Sequence, residues 1–109
     1  MSALAVTKMH GTLNDFVILD RRESAVDDLA AFARKVCDRR GGIGADGVIV
    51  LESSEIADAR MRVINADGSE AEMCGNGMRC AIRYLSERGE GDTFRMETLA
   101  GIFMDSLKG

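Results

Sequence analysis

The segment Glu72-Met73-Cys74-Gly75-Asn76-Gly77-Met78-Arg79-Cys80 sets a cysteine directly before glycines that open a predicted helix. A helix amino terminus offers unpaired backbone N–H groups and the positive end of the helix dipole. Such an end holds a carboxylate, and it favours a thiolate over a thiol. Glycine lacks a Cβ, so a ligand can approach the backbone closely. One short segment thus combines an anion hole with a candidate acid/base, Cys74. The alternative on the motif alone is that Cys74 is a small buried hydrophobe, as most free cysteines are.

The other candidates are weaker. Gly42-Ile-Gly44-Ala-Asp-Gly47 spells the dinucleotide fingerprint, but that motif needs a strand before its glycines and a helix after them. Here a predicted helix precedes and a strand follows, so these read as structural loop glycines. Cys37 and Cys80 fall on apolar helix stripes and read as core. His10, beside a strand end, reads as a packing or hydrogen-bonding residue. Asp67, Glu70 and Glu72 read as turn and first-turn acids, and the pairs Arg21-Arg22 and Arg39-Arg40 as solvated charges.

Composition narrows the function classes. The chain has 109 residues, 46% of them apolar and 29% charged, which fits one soluble globular domain. Its net charge of -4 gives no electrostatic support for nucleic acid or an anionic membrane as partner. No apolar run approaches the roughly 20 residues that cross a bilayer, and the amino terminus lacks a secretory pattern. Three cysteines and one histidine form neither a disulfide framework nor a zinc site, because the paired close spacings are missing. A cytoplasmic protein with reduced thiols is expected.

The elements that must position Cys74 follow from periodicity. Residues 4–9 and 15–20 read as strands joined by a turn around Gly11 and Asn14. Val26, Leu29, Ala30, Ala33 and Cys37 recur at helical spacing, predicting a helix from Val26 to Asp38. Arg39 to Gly47 is a loop, and Val48 to Leu51 a short buried strand. Residues 59–65 alternate, Met61 and Val63 against Arg60 and Arg62, so Asn65 falls on the apolar face at the strand's end and needs a polar partner there. Asp67-Gly68 makes a turn. A second helix from Gly75 to Glu87 carries an apolar stripe wide enough to be embedded against a sheet. Two strands, 93–98 and 102–107, follow around Gly101. The sum is an α+β domain, a curved antiparallel or mixed sheet around one main helix. The chain stops at Lys108-Gly109 just after a strand, which leads us to expect a fragment.

Three segments together resemble the diaminopimelate epimerase family: Lys8-Met-His-Gly-Thr-Leu-Asn-Asp-Phe16, Cys37-Asp-Arg-Arg-Gly-Gly-Ile-Gly-Ala-Asp-Gly47 and Met61-Arg-Val-Ile-Asn-Ala-Asp-Gly-Ser-Glu-Ala-Glu-Met-Cys-Gly-Asn-Gly-Met-Arg-Cys80. Phe94-Arg-Met-Glu-Thr-Leu-Ala-Gly101 is similar to the strand pair that follows the helix in that family. The resemblance covers nearly all of this chain but only the first half of the family's usual length. It implies a two-domain enzyme whose similar halves enclose the substrate, each supplying one cysteine. One cysteine, as thiolate, removes the α-proton, and the other, as thiol, returns a proton from the opposite face. Neither pyridoxal phosphate nor a metal cofactor takes part. By the same resemblance Cys74 is the first catalytic cysteine. Gly75 and Asn76 hold the substrate's α-carboxyl and amino end, and Asn14 and Asn65 bind its polar groups. The implied substrate is diaminopimelate, on the route to lysine and bacterial cell wall.

Two residues depart from the family pattern. Leu13 stands where glycine is common, and Gly47 where some members carry a substrate-contacting glutamine. The carboxy-terminal domain with its second cysteine is also missing from this chain. Alternatives to a first half of that enzyme are a related cofactor-independent racemase and a non-catalytic ligand-binding domain of the same fold. A homodimer that faces two Cys74 residues together is a further arrangement.

Overall fold

A computed structural model describes residues 6–10 and 14–107. The strands are β1 (Thr7–His10), β2 (Asp15–Asp20), β3 (Gly47–Glu52), β4 (Ala59–Asn65), β5 (Glu70–Ala71), β6 (Thr93–Thr98) and β7 (Gly101–Ser106), and the helices α1 (Leu29–Val36) and α2 (Gly75–Glu87). The strands form one sheet in the order β1-β2-β3-β4-β6-β7, with β5 pairing β4 off that path. The β2–β3 and β4–β6 pairs are parallel and the others antiparallel, so the sheet is mixed, as expected.

Why β3 lies at the centre is visible in its composition. Val48, Ile49, Val50 and Leu51 are all fully buried, and a continuous apolar run suits a strand covered on both faces. Its side chains alternate between two cores. Ile49 and Leu51 join Phe16, Ile18, Met61, Val63 and Met96 beneath the apolar stripe of α2. Val48 and Val50 join Val17, Leu19 and Ile64 against Leu29, Ala33 and Cys37 on the α1 side. The main helix, α2, covers one face with Met78, Ala81, Ile82 and Leu85, and the shorter α1 adds a layer on the other.

Several boundaries differ from expectation. The first strand begins at Thr7 and extends to His10; residues 1–5 and Gly11 lie outside the described residues. Helix α1 begins at Leu29, not Val26, because the Asp28 carboxylate accepts the Ala31 N–H at 3.0 Å and caps it. Val26 still packs against the α1-side core, but from the preceding loop. The helix ends at Val36, with Cys37 as its cap. Strand β3 is one residue longer at each end than predicted, and β7 starts at Gly101 and stops at Ser106. Glu70 is not a turn acid: it pairs Ile64 in β5, and its carboxylate takes a two-pronged bond from Arg62 at 2.9 and 2.7 Å.

Candidate active site

Helix α2 begins where the sequence places it. Cys74 is its N-cap, with extended backbone (φ -143°, ψ 118°), and its Sγ accepts the Gly77 N–H at 3.4 Å. The first turn carries no acidic side chain that would neutralise the helix end. Two glycines there do different jobs. A Cβ on Gly77 would stand 2.6 Å from Ile49 Cδ1, so this glycine lets the helix lie close on β3. A Cβ on Gly75 would meet nothing within 4 Å. Gly75 is exposed, and no packing among the described residues demands its lack of a side chain.

Asn14 and Asn76, 62 positions apart, are brought together. Asn76 Nδ2 donates to Asn14 Oδ1 at 3.1 Å, and Asn14 Nδ2 donates to Asp46 Oδ2 at 3.5 Å. The same Asp46 oxygen accepts the Asp15 N–H at 3.0 Å. Arg39 bridges Asp15 and Asp46 at 3.1 and 3.2 Å, and Lys8 adds a contact to Asp15 at 3.2 Å. Hydrogen bonding from Arg39, helped by Lys8, holds the Asp15 carboxyl well below the usual carboxylate range despite its desolvation.

Asn65 stands apart from that pair. Register sets it opposite Gly47, which in turn lies beside Phe16. By parity with Met61 and Val63 it is on the α2 face. It is exposed, however, where a buried-side residue was expected, because the strand ends there. Its polar partner is local: Nδ2 donates to Ser69 Oγ at 3.0 Å, and Ser69 in turn donates to Asp67 at 2.6 Å.

Cys37 and Cys80 are core residues, 4% and 3% exposed. Burial pushes both thiols up, so neither is suited to proton transfer. Cys74 is only partly buried. Gly42 is structural: a Cβ there would sit 2.3 Å from the Lys35 carbonyl oxygen in the last turn of α1. The arginines are mostly not merely solvated. Arg21 pairs with Glu52 at 2.6 Å, Arg22 with Asp20 and Glu90 at 2.8 Å each, and Arg39 bridges the two aspartates. Asp15 and Asp46 were missed in the sequence. Asp46 lies inside the glycine stretch, and only its place beside Asp15 reveals its reach to Asn14. Cavities of about 420 and about 450 Å³ lie beside α1, away from Cys74. Among the described residues the amino end of α2 is therefore an open surface carrying a thiol, free backbone donors and two linked amides.

A family model described as diaminopimelate epimerase matches residues 6–109. The diaminopimelate epimerase of Caldanaerobacter subterraneus subsp. tengcongensis is 53% identical over 103 residues, covering 93% of this chain and 37% of that protein. That of Archaeoglobus fulgidus is 50% identical over 109 residues, covering 96% and 39%. Among solved structures, a Bacillus anthracis phenazine biosynthesis protein of the PhzF family superposes with a TM-score of 0.69 at 27% identity, over 93% of this chain and 33% of the other. The chain thus spans a little over a third of the length of these curated relatives.

Proposed function

The chain belongs to the diaminopimelate epimerase family, and from that premise we propose that it is the amino-terminal half of an enzyme interconverting LL- and meso-2,6-diaminopimelate. Cys74 is one of its two catalytic thiols. The observation that carries the proposal is the Cys74 N-cap, partly exposed and next to a glycine that needs no side-chain space of its own.

The substrate's α-carboxylate sits on the free N–H groups at the start of α2, around Gly75 and Asn76. There the donors stabilise the charge that develops as the α-proton leaves. The Cys74 thiolate takes that proton, and a cysteine thiol from the second half delivers one to the opposite face of the α-carbon. The Cα–H bond breaks on one side and forms on the other, so configuration inverts without net redox change. In the reverse direction the two sulfurs exchange roles, which requires both to work as acid and as base. Asn14, Asn65 and Asn76 hold the polar ends of the substrate. Gly47 offers no side chain, so any recognition from that position is lost. The pathway is lysine and peptidoglycan precursor synthesis in the cytoplasm, in keeping with three free cysteines.

The two edges of the sheet support a covering second domain. On β1, Thr7, Lys8 and His10 are exposed, a polar edge. On β7, Ile102 (43%), Phe103 (38%) and Met104 (68%) are exposed in succession, so both faces of that edge are apolar. A strand apolar on both faces is built to be covered.

The test is conversion of LL- to meso-diaminopimelate by the full-length gene product, with proline as the competing substrate and this chain alone as a further sample. Turnover of diaminopimelate by the full-length protein only is the expected result. Activity on proline alone would move the protein to a related racemase.

A further inference from the structure

We propose that Asp46 is a positioning residue that fixes which atoms Asn14 and Asn76 present at the site. The role assigned to the substrate rests on the epimerase reading above; the orientation of the amides does not. A carboxylate paired with a guanidinium only accepts hydrogen bonds. Asp46 Oδ2 faces the Asn14 side chain at 3.5 Å, so Asn14 must turn its NH₂ group that way. Its Oδ1 then points the other way, where it accepts Asn76 Nδ2 at 3.1 Å. Asn76 is fixed in turn: its nitrogen is engaged, and among the described residues nothing donates to its Oδ1. An asparagine side chain is nearly symmetric in shape, and only its hydrogen bonds decide which way round it stands. Here one charge decides for two.

The carboxylate is itself held in place. Arg39 Nη2 donates to its other oxygen at 3.2 Å, and Asp15 N donates to Oδ2 at 3.0 Å. The Asp46 N–H is bound by the Asp15 backbone oxygen at 3.0 Å and by the Asp15 carboxylate at 3.1 Å. The functional consequence is chemical. An α-amino acid brings an ammonium group, which needs an acceptor, and a carboxylate, which needs donors. The backbone N–H groups of α2 meet the second need, and the unengaged Oδ1 of Asn76 meets the first. A flipped Asn76 would turn an NH₂ group toward the ammonium. Among the described residues no hydrogen bond joins Asp46 to Cys74 or to the first turn of α2, and its route to that end runs through the amides.

The test has two arms. In the full-length gene product with LL-diaminopimelate, Asp46→Ala should raise KM about tenfold while kcat changes less than about threefold, the scale of one hydrogen bond lost from binding. Asp46→Asn, which keeps an oxygen able to accept from Asn14, should bring KM back to within about threefold of the parent. In this chain alone, the Asn14 side-chain amide protons should exchange slowly with solvent by NMR. They should stay protected in Asp46→Asn and lose protection in Asp46→Ala. Unchanged KM and unchanged Asn14 signals in Asp46→Ala would overturn the proposal. So would equal losses in both variants carried by kcat, since only the Arg39 ion pair would then matter. If Asp46→Ala does not fold, the Asp46→Asn spectrum decides: loss of protection at the Asn14 amide overturns the proposal. If the parent does not turn over diaminopimelate, the substrate reading falls, and the amide spectra still decide the role of Asp46.

Discussion

The two ends of α2 are built on opposite principles. At the carboxy end a network of charged groups around Tyr84 is answered from within the chain, with Arg83 and Glu87 left in solvent. Tyr84 donates to the buried Asp20 carboxylate at 3.1 Å, and Arg22 grips the same carboxylate while reaching Glu90. Arg88 lies over the Tyr84 ring at 5.3 Å and also pairs with Glu23. At the amino end Cys74 is half-buried, and among the described residues a Cβ on Gly75 would meet nothing and the first-turn donors have the Cys74 sulfur and carbonyl alone as partners. One end anchors the helix; the other, on the proposed function, receives the ligand and a facing surface. Satisfying polar groups internally stabilises a fold, and leaving them unsatisfied at one place marks where a binding partner is meant to supply the missing bonds.

Breaking the anchored end should cost the most stability. Arg22→Ala leaves the Asp20 carboxylate, 4% exposed, without its counter-charge, and should lower the unfolding free energy by about 3 kcal/mol in urea titration. Burial alone would push the Asp20 carboxyl up, but the hydrogen bonds and charge of Arg22 outweigh it and hold it below its ordinary value. A depressed carboxyl contributes stability above its unfolded pKa, and this contribution fades as pH falls from about 4 downward. The parent should therefore lose stability on acidification more steeply than Arg22→Ala, which denaturation series at pH 6 and pH 3 would show.

Disturbing the open end should do the reverse. Gly75→Ala adds a methyl group where this chain has room, so its melting midpoint should not fall, and helix propensity favours Ala by up to about 1 kcal/mol. In the full-length protein the same change should lower kcat/KM about tenfold or more by crowding the substrate carboxylate. A destabilised but fully active Gly75→Ala would erase the distinction between the ends. Smaller still is Tyr84→Phe, which removes one hydroxyl while Asp20 keeps Arg22. It should cost about 1 kcal/mol of stability and leave turnover untouched.

How much of this was legible beforehand follows from what each feature depends on. Helix α2 starts and stops where sequence placed it, since its cap, its opening glycines and its apolar stripe are all local signals. Strands β2, β4 and β6 likewise carry their patterns within six or seven residues. Val26 misled because an apolar residue one turn upstream packs on the same core from a loop, and only the Asp28 cap separates the two cases. Strand β5 has two residues and exists only through its pairing with β4. Parity put Asn65 on the correct face but could not show that the strand end leaves it in solvent. Of the site, the Cys74 segment was readable on its own, whereas Asp46 acts through Asn14, 32 positions away, and no spacing rule reaches that far.

On the proposed function Cys74 moves the substrate's α-proton. The full-length gene product, incubated with LL-diaminopimelate in D₂O with the α-proton followed by NMR and Cys74→Ser alongside, decides this. Serine keeps an oxygen to cap Gly77, so the variant should stay folded. The parent should exchange the proton, and Cys74→Ser should lose at least about a thousandfold in rate. Exchange that survives the substitution would contradict it.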